Sequence, residues 1–395
     1  MVRRRVLYTV NRMDVGGSQT HLLQVLRLLD RERFDPVLCC LTGKGALLDV
    51  ARATGTTVIS GGLSRLKSPR TPAALARLAS LMRRERFDVV HNYLLRANVI
   101  GTLAARLARV PVVLTSKRGC HERRGMEMVG ARLSNRLADC VTANAEAVRE
   151  FIHEHEGCPL EKMVVIPSGI DTERFAPLPP DDFKARLGLP ADAVVVGSLT
   201  RMRVRKGVEE FLRAMGEICR TRPNVHVVIA GDVEDDDAVQ AMVAETGLAG
   251  RLHLLGRRSD IPEVLSAFDV FVLSSHNEGM SNAILEAMAM EKPVVVTAVG
   301  GTVEIVSEGE TGHLVPPHEV EPLRRGIERV LDDPTAGRRM GVRGRQVVLD
   351  GYSSRAMVRQ MEALYTQLLA ARSAGQPATA GLADLSPQRR RDAEA

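Results

Sequence analysis

Two Rossmann-like α/β domains in series, each with a doubly wound parallel sheet, are what the sequence predicts, on three observations. Short β-branched runs alternate with amphipathic helical stretches along most of the 395 residues. The alternation lapses at a Pro-containing stretch and then starts again. Composition is that of a globular enzyme, 45% hydrophobic and 26% charged, and at roughly 100–200 residues per domain the chain is long enough for two or three.

In the first half, residues 6–10, 37–41, 57–59, 88–90, 112–115, 140–142 and 163–166 read as buried strands, with helices over 18–29, 72–84 and 98–107. After Pro177, Pro179 and Pro180 the same rhythm returns, with strands over 193–197, 225–230, 251–254, 270–273 and 293–296. The boundary is expected between Asp171 and Pro190, leaving an N-terminal domain over 1–170 and a C-terminal one over 190–352. Residues 353–369 follow the Gly351-Tyr352 breaker as one long amphipathic helix, which periodicity alone assigns to neither domain. The aperiodic Ala, Gly, Pro and Arg of 373–395 predict a disordered tail.

The net charge of +6 hides an asymmetry. Residues 1–170 carry 27 Lys and Arg against 15 Asp and Glu, a net of +12, while the rest carries 27 against 33, a net of −6. A basic half calls for an anionic partner: nucleic acid, a lipid surface or a phosphorylated substrate. With no Trp, 4 Tyr and 8 Phe, an aromatic platform for single-stranded nucleic acid has little to be built from, and no recognition motif accompanies the charge. The six cysteines form no C-x-x-C pair, which predicts reduced thiols and a cytoplasmic location. The apolar run at 6–10 is too short for a signal peptide, and nothing approaches the roughly 18 apolar residues of a membrane span.

Motifs that carry chemistry cluster at strand ends. The first strand runs into Gly16-Gly17 before a helix, either a plain tight turn or a place where backbone and unpaired N–H groups approach an anion. It lacks the G-x-G-x-x-G spacing of a dinucleotide site. In the second half, Arg201 and Lys206-Gly207 follow a strand, and a guanidinium with an ammonium there suits a diphosphate, unless the loop is simply basic and solvated. The strand at 270–273 leads into a turn holding Glu278, then Ser281 or Asn282 as a helix cap, with Glu286 more than a turn into the helix. A carboxylate accepts two hydroxyl hydrogen bonds, which fits a ribose or a sugar. Gly300-Gly301 and Glu304 follow the next strand. Asp235-Asp236-Asp237 reads as a solvated acidic loop rather than a metal site, and no Asp-x-Asp pair sits at a strand end. The stretch 72–84, preceded by Arg65, Lys67 and Arg70, either lies on anionic lipid or packs its Leu stripe on the sheet.

The series Gly16-Gly17, Arg201…Lys206-Gly207, Glu278-x7-Glu286 and Gly300-Gly301…Glu304, with Ile166-Pro167-Ser168-Gly169-Ile170-Asp171 between the halves, resembles the retaining nucleotide-sugar-dependent glycosyltransferases of family 4. The resemblance covers the chain to about residue 370 in the expected order. It implies the GT-B fold: two Rossmann-like domains facing a cleft, acceptor mainly in the first, donor in the second. The final helix would cross back, so that 353–372 completes the N-terminal domain. It implies Arg201 and Lys206 on the donor diphosphate, Glu286 on the ribose, Glu278 on the transferred sugar, and Gly16-Gly17 near the reacting phosphate. Ser281, Asn282, Gly300, Gly301 and Glu304 complete the donor site. His121, in Arg118-Gly119-Cys120-His121, either fills the position where many relatives place a catalytic histidine or is a solvated loop histidine. Ser168 stands where Asn is usual, and Gly231-Asp232-Val233 lacks a further glycine.

The expected function is therefore metal-independent, retaining transfer of a hexosyl group from a nucleoside-diphosphate sugar to a glycan or lipid-linked acceptor of envelope polysaccharide or glycolipid. No cofactor is expected beyond the donor substrate, and peripheral contact with the inner face of an anionic membrane is the expected association. A UDP-sugar 2-epimerase of the same fold and a non-catalytic nucleotide-sugar-binding module are the alternatives.

Overall fold

The computed structural model describes residues 3–63, 71–178, 183–232, 236–379 and 382. Arg65, Lys67, Arg70, Pro179, Pro180, Asp235, most of the expected tail, and the side chains of Asp236 and Asp237 lie outside the described residues. The chain divides into two compact units, Met1–Gly169 with Ser354–Ala395, and Ile170–Ser353.

The first unit is built on seven strands: β1 (Arg4–Val10), β2 (Phe34–Cys40), β3 (Thr57–Ser60), β4 (Val89–Tyr93), β5 (Val112–Lys117), β6 (Cys140–Ala143) and β7 (Met163–Val165). Their order is β3-β2-β1-β4-β5-β6-β7, and every pairing is parallel. Strand residues alternate between two cores, as a sheet covered on both faces requires. Val6, Tyr8 and Val10 enter one core and Leu7, Val90 and Val113 the other. Helix Thr71–Arg84 buries Ala74, Leu78, Ala79 and Met82 in the second core. Its apolar stripe is thus taken by the sheet, and the lipid-facing reading of 72–84 does not hold.

Helix Ser354–Ser373 belongs to this unit. Met357, Met361, Leu364, Tyr365 and Leu368 recur at helical spacing and enter the core of Tyr8 and Val6. The Tyr365 hydroxyl lies 2.7 Å from His91 Nδ1 and donates to the Tyr8 hydroxyl at 3.3 Å. Burial pushes the His91 pKa down to about 3, so this contact is made by a neutral ring. Glu362 accepts from the Asp30 N–H at 2.7 Å, satisfying a backbone donor just past helix Gly17–Leu28.

The second unit carries β8 (Val194–Leu199), β9 (Val225–Ala230), β10 (Leu252–Leu254), β11 (Val270–Leu273), β12 (Val294–Thr297) and β13 (Gly312–Val315), in the order β10-β9-β8-β11-β12-β13. Helix Val208–Thr221 buries Val208, Phe211, Leu212, Met215 and Ile218 against it. The division falls at Ile170, ahead of the expected 171–190 stretch. Ile170 forms a parallel bridge with Ser353 and donates to the Tyr352 carbonyl at 2.8 Å, while the Arg345 guanidinium donates to the carbonyl of buried Phe175 at 3.1 Å. These contacts draw the residues after Gly169 into the second unit.

Candidate active site

In the second sheet the chain leaves β8 toward β9 and β10, then returns on the other side of β8 as β11. This is a topological switch point, and ligands of open α/β sheets sit outside the carboxyl ends of the strands there. The loops after β8, β11 and β12 interlock at that place. Gly207 has φ 62°, and a Cβ on it would lie 1.8 Å from the Ser274 carbonyl oxygen; Gly300 has φ 50°, and its Cβ would lie 1.8 Å from the Glu278 carbonyl oxygen. Only glycine permits both the left-handed backbone and the approach. Hydrogen bonds complete the contact: Ser274 Oγ donates to Gly207 O at 2.7 Å, the His276 N–H to Arg205 O at 3.0 Å, and the Gly301 N–H to Gly279 O at 2.7 Å.

Within this cluster Lys206 Nζ donates to Glu278 Oε1, which also accepts from Ser275 Oγ at 2.8 Å. The ammonium and carboxylate, 22% and 13% exposed, hold each other near neutrality in a partly dry place. Arg201 stands at the exposed rim, 3.9 Å from Asp232. Asp232 is held more closely by Arg257, at 2.5 and 3.1 Å, whose hydrogen bonds, with its charge, keep the carboxyl below the usual range.

Glu286 lies one turn into helix Asn282–Ala289. Among the described residues no hydrogen-bond donor reaches its carboxylate, and burial pushes its pKa up to about 7 against the opposing pull of Arg174. Ser281 is the N-cap of this helix, but its hydroxyl makes no capping hydrogen bond, contrary to the capping role its sequence position suggests. The first-turn N–H groups are therefore not taken by that side chain. Asn282 opens the helix, half-buried. Glu304 lies in the short helix Thr302–Ile305 behind Gly300-Gly301, and its carbonyl accepts from the Tyr352 hydroxyl at 3.1 Å.

Other sequence-derived residues lie in the first unit. Gly16, extended at φ 177°, precedes helix Gly17–Leu28 after β1, and its carbonyl accepts from the Thr20 N–H at 2.9 Å. His121 is exposed, with its ring over Gly119. A more constrained group is two residues before Cys120. Arg118 donates to Ser168 Oγ at 2.8 Å, and among the described residues no carboxylate lies within ion-pair distance. Burial lowers its pKa to about 10, and its charge helps keep His21 and His91 neutral. Sequence reading passed over Arg118 because nothing in its spacing distinguishes it from the many arginines nearby; its pairing with Ser168 is a contact between residues 50 positions apart.

Two family models match the chain: "Glycosyltransferase Family 4" over residues 15–174 and "Glycosyl transferases group 1" over residues 180–347. The chain belongs to the family 4 glycosyltransferases of GT-B fold, and it is a glycosyltransferase. It is 31% identical over 372 residues to the UDP-Gal:alpha-D-GlcNAc-diphosphoundecaprenol alpha-1,3-galactosyltransferase of Escherichia coli, covering 90% of this chain and 95% of that one. A lipopolysaccharide core biosynthesis glycosyltransferase of Rhizobium meliloti is 31% identical over 237 residues, 60% of this chain and 66% of that one. Among solved structures, HepE of Anabaena in complex with UDP and glucose matches with a TM-score of 0.80 at 22% identity, over 92% of this chain and all of that one. Sucrose-phosphate synthase of Thermosynechococcus elongatus matches at 0.82 and 22%, over 93% and 100%. The two parallel-sheet units are thus those of the GT-B fold.

Proposed function

We propose that the protein transfers a hexosyl group, with retention at the anomeric carbon, from a UDP-sugar held by the second unit to a phosphate-bearing lipid-linked glycan of an envelope polysaccharide or glycolipid. The observation that carries the donor half is Glu286: a half-buried carboxylate that accepts no hydrogen bond from the described residues, in the helix that follows the Glu278 turn. Two ribose hydroxyls would satisfy it. UDP in the names of the Escherichia coli relative and the Anabaena complexes supports the base, and a diphosphoundecaprenol-linked sugar in the former supports the acceptor class.

In the reaction the bond from the anomeric carbon to the diphosphate oxygen breaks, and the acceptor hydroxyl oxygen bonds to that carbon from the same face. The acceptor proton passes to the departing phosphate. Lys206 is the chain's main offset to the charge growing on the diphosphate, a preorganised donor typically worth about 3–4 kcal/mol. As it turns to the diphosphate it releases Glu278, whose carboxylate then accepts from a sugar hydroxyl. Arg201 meets the diphosphate from the rim, and Gly300-Gly301 with the first turn at Ser281 supply backbone N–H groups. These protein groups carry the step without a metal ion.

In the first unit, the half-buried guanidinium of Arg118, hydrogen-bonded to Ser168 but with no carboxylate in ion-pair distance among the described residues, and the +12 net charge of residues 1–170 support an acceptor with a phosphate. Peripheral membrane contact, on the cytoplasmic side, is assigned to helix Met126–Leu137. Met126, Val129 and Leu133 are exposed there at helical spacing, with exposed Arg124, Arg132 and Arg136 around them. Among the described residues no helix is long and apolar enough to cross a membrane.

The test is incubation of the purified protein with a panel of nucleotide sugars, with and without lipid-linked acceptors. Nucleoside diphosphate released only with acceptor supports transfer. Interconversion of the nucleotide sugar alone supports the epimerase, and binding with neither outcome the non-catalytic module.

A further inference from the structure

Next to Ser275 in the turn that carries Glu278, His276 meets two residues far from it in sequence. Glu210 comes from the first turn of helix Val208–Thr221, His276 from the turn after β11, and His318 from the turn after β13. Glu210 Oε1 lies 2.8 Å from His276 Nε2 and 4.0 Å from His318 Nδ1, and one ligand atom from each of the three falls within 4.8 Å of the others. The two imidazole rings are 3.8 Å apart between centroids. Glu210 and His276 are 17% exposed and His318 63%, so one side of the triangle faces solvent.

We propose that Glu210, His276 and His318 form a site for a borderline divalent cation of the Zn²⁺ type. The donor set, two imidazoles and one carboxylate, is the chemistry such ions select over Mg²⁺ or Ca²⁺. Bonds of about 2.0–2.1 Å in a tetrahedral site set ligand–ligand edges near 3.3 Å. The 2.8 and 4.0 Å separations from Glu210 straddle that value and all three ligand atoms lie within 4.8 Å of one another, so closure asks for side-chain adjustment. With three protein ligands and an open face, the fourth position falls to water. Ordinary explanations cover parts of the cluster: an acidic residue in a helix's first turn is favourable by itself, and a lone Glu–His pair is common. Neither accounts for the second imidazole, His318, whose ring centroid lies 3.8 Å from that of His276 and whose backbone is left-handed at φ 66°.

The site would act on the donor loops through the chain. The His276 N–H is bonded to the Arg205 carbonyl, next to Lys206, and Ser275 beside it bonds Glu278. A bound ion would tie the β13 turn to both loops, a structural clamp with no part in bond cleavage. The inference stands independently of the proposed donor and acceptor.

Equilibrium dialysis of the chelator-treated full chain against ZnCl2, with metal analysis, tests it. One Zn²⁺ per chain is expected, with a rise in the melting temperature. Co²⁺ in its place should show a tetrahedral visible spectrum without thiolate charge transfer, which sets the site apart from the cysteines. His318→Gly removes a ligand while relieving the left-handed backbone, and Glu210→Gln removes the charged one; each should weaken Zn²⁺ binding at least about tenfold. No Zn²⁺ bound at micromolar free ion, a thiolate band with Co²⁺, or undiminished binding by both variants would overturn the assignment.

Discussion

Replacing Glu286 by glutamine should make the protein more stable and a poorer binder of its donor at the same time. Burial raises the carboxyl pKa from 4.5 to about 7 in the folded chain. Well below pH 4.5 both states are protonated and nothing is lost, and at pH 4.5 itself the unfolded carboxyl is half ionised and the loss is still small. As pH rises from there, the unfolded chain ionises while the folded one resists, so stability falls until pH passes about 7 and is flat beyond. At about 1.4 kcal/mol per pKa unit the full cost is roughly 3 kcal/mol. Glutamine keeps the shape without the charge. Glu286→Gln should therefore melt close to the parent near about pH 4.5, and roughly 6–12 °C higher near about pH 8, taking about 2–4 °C per kcal/mol for a unit of this size. Donor affinity, read by calorimetry with UDP-sugar, should fall by about 1.5–3 kcal/mol, or roughly 10–150-fold, as charged hydrogen bonds are lost. A variant less stable at the higher pH, or shifted equally at both, refutes the desolvated carboxylate; an unchanged donor Kd refutes its role with the ribose.

Lys206→Ala should lower turnover roughly 10²–10³-fold, and near-normal turnover would remove Lys206 from the leaving-group role. Gly207→Ala sets a Cβ 1.8 Å from the Ser274 carbonyl at φ 62°; a loss of roughly 2–4 kcal/mol in unfolding free energy is expected, and an unchanged melting curve would contradict the interlock. Met126→Asp with Val129→Asp should abolish co-sedimentation with anionic vesicles at low salt while leaving turnover on a soluble acceptor in place. Parent protein that does not sediment, or a variant that still does, argues against the lipid-facing helix.

Most strands were legible because each is a run of β-branched residues buried on both faces, a signal that survives without tertiary context. β13 was missed: Gly312-His313-Leu314-Val315 has too few such residues, and its pairing with β12 determines its conformation. Helix Pro334–Gly351 was missed for a different reason. The face it buries includes Gly337, Gly341 and Gly344, and a Cβ at Gly341 would lie 2.0 Å from the Glu291 carbonyl, so its seam is one of close approach rather than of large apolar side chains. A hydrophobicity pattern does not register such a face. Local motifs put Lys206 and Glu278 after β8 and β11 and Glu286 in the following helix, which is where the structure has them, because strand ends and helix starts are marked by local sequence. Arg118 with Ser168, and Glu210 with His276 and His318, are juxtapositions of the third dimension with no spacing to announce them.

The first unit is made from both ends of the chain, and this fixes an order of events in synthesis. Tyr8 and His91 leave the ribosome early, yet their partner Tyr365 follows only after all of Ile170–Ser353 has been made. At about 5–20 residues per second that interval is on the order of 10–40 s. The inserted unit, continuous in sequence, is complete first. Until helix Ser354–Ser373 arrives, the core of Val6, Tyr8 and Val10 has Leu22, Val25 and Leu26 of helix Gly17–Leu28 but lacks Met357, Met361, Leu364, Tyr365 and Leu368, a partly open apolar surface for a chaperone to shield. A chain that stops before Ser354 would keep that core incomplete permanently, so loss of the last helix should send the nascent protein to aggregation or proteolysis even though no donor-loop residue is missing.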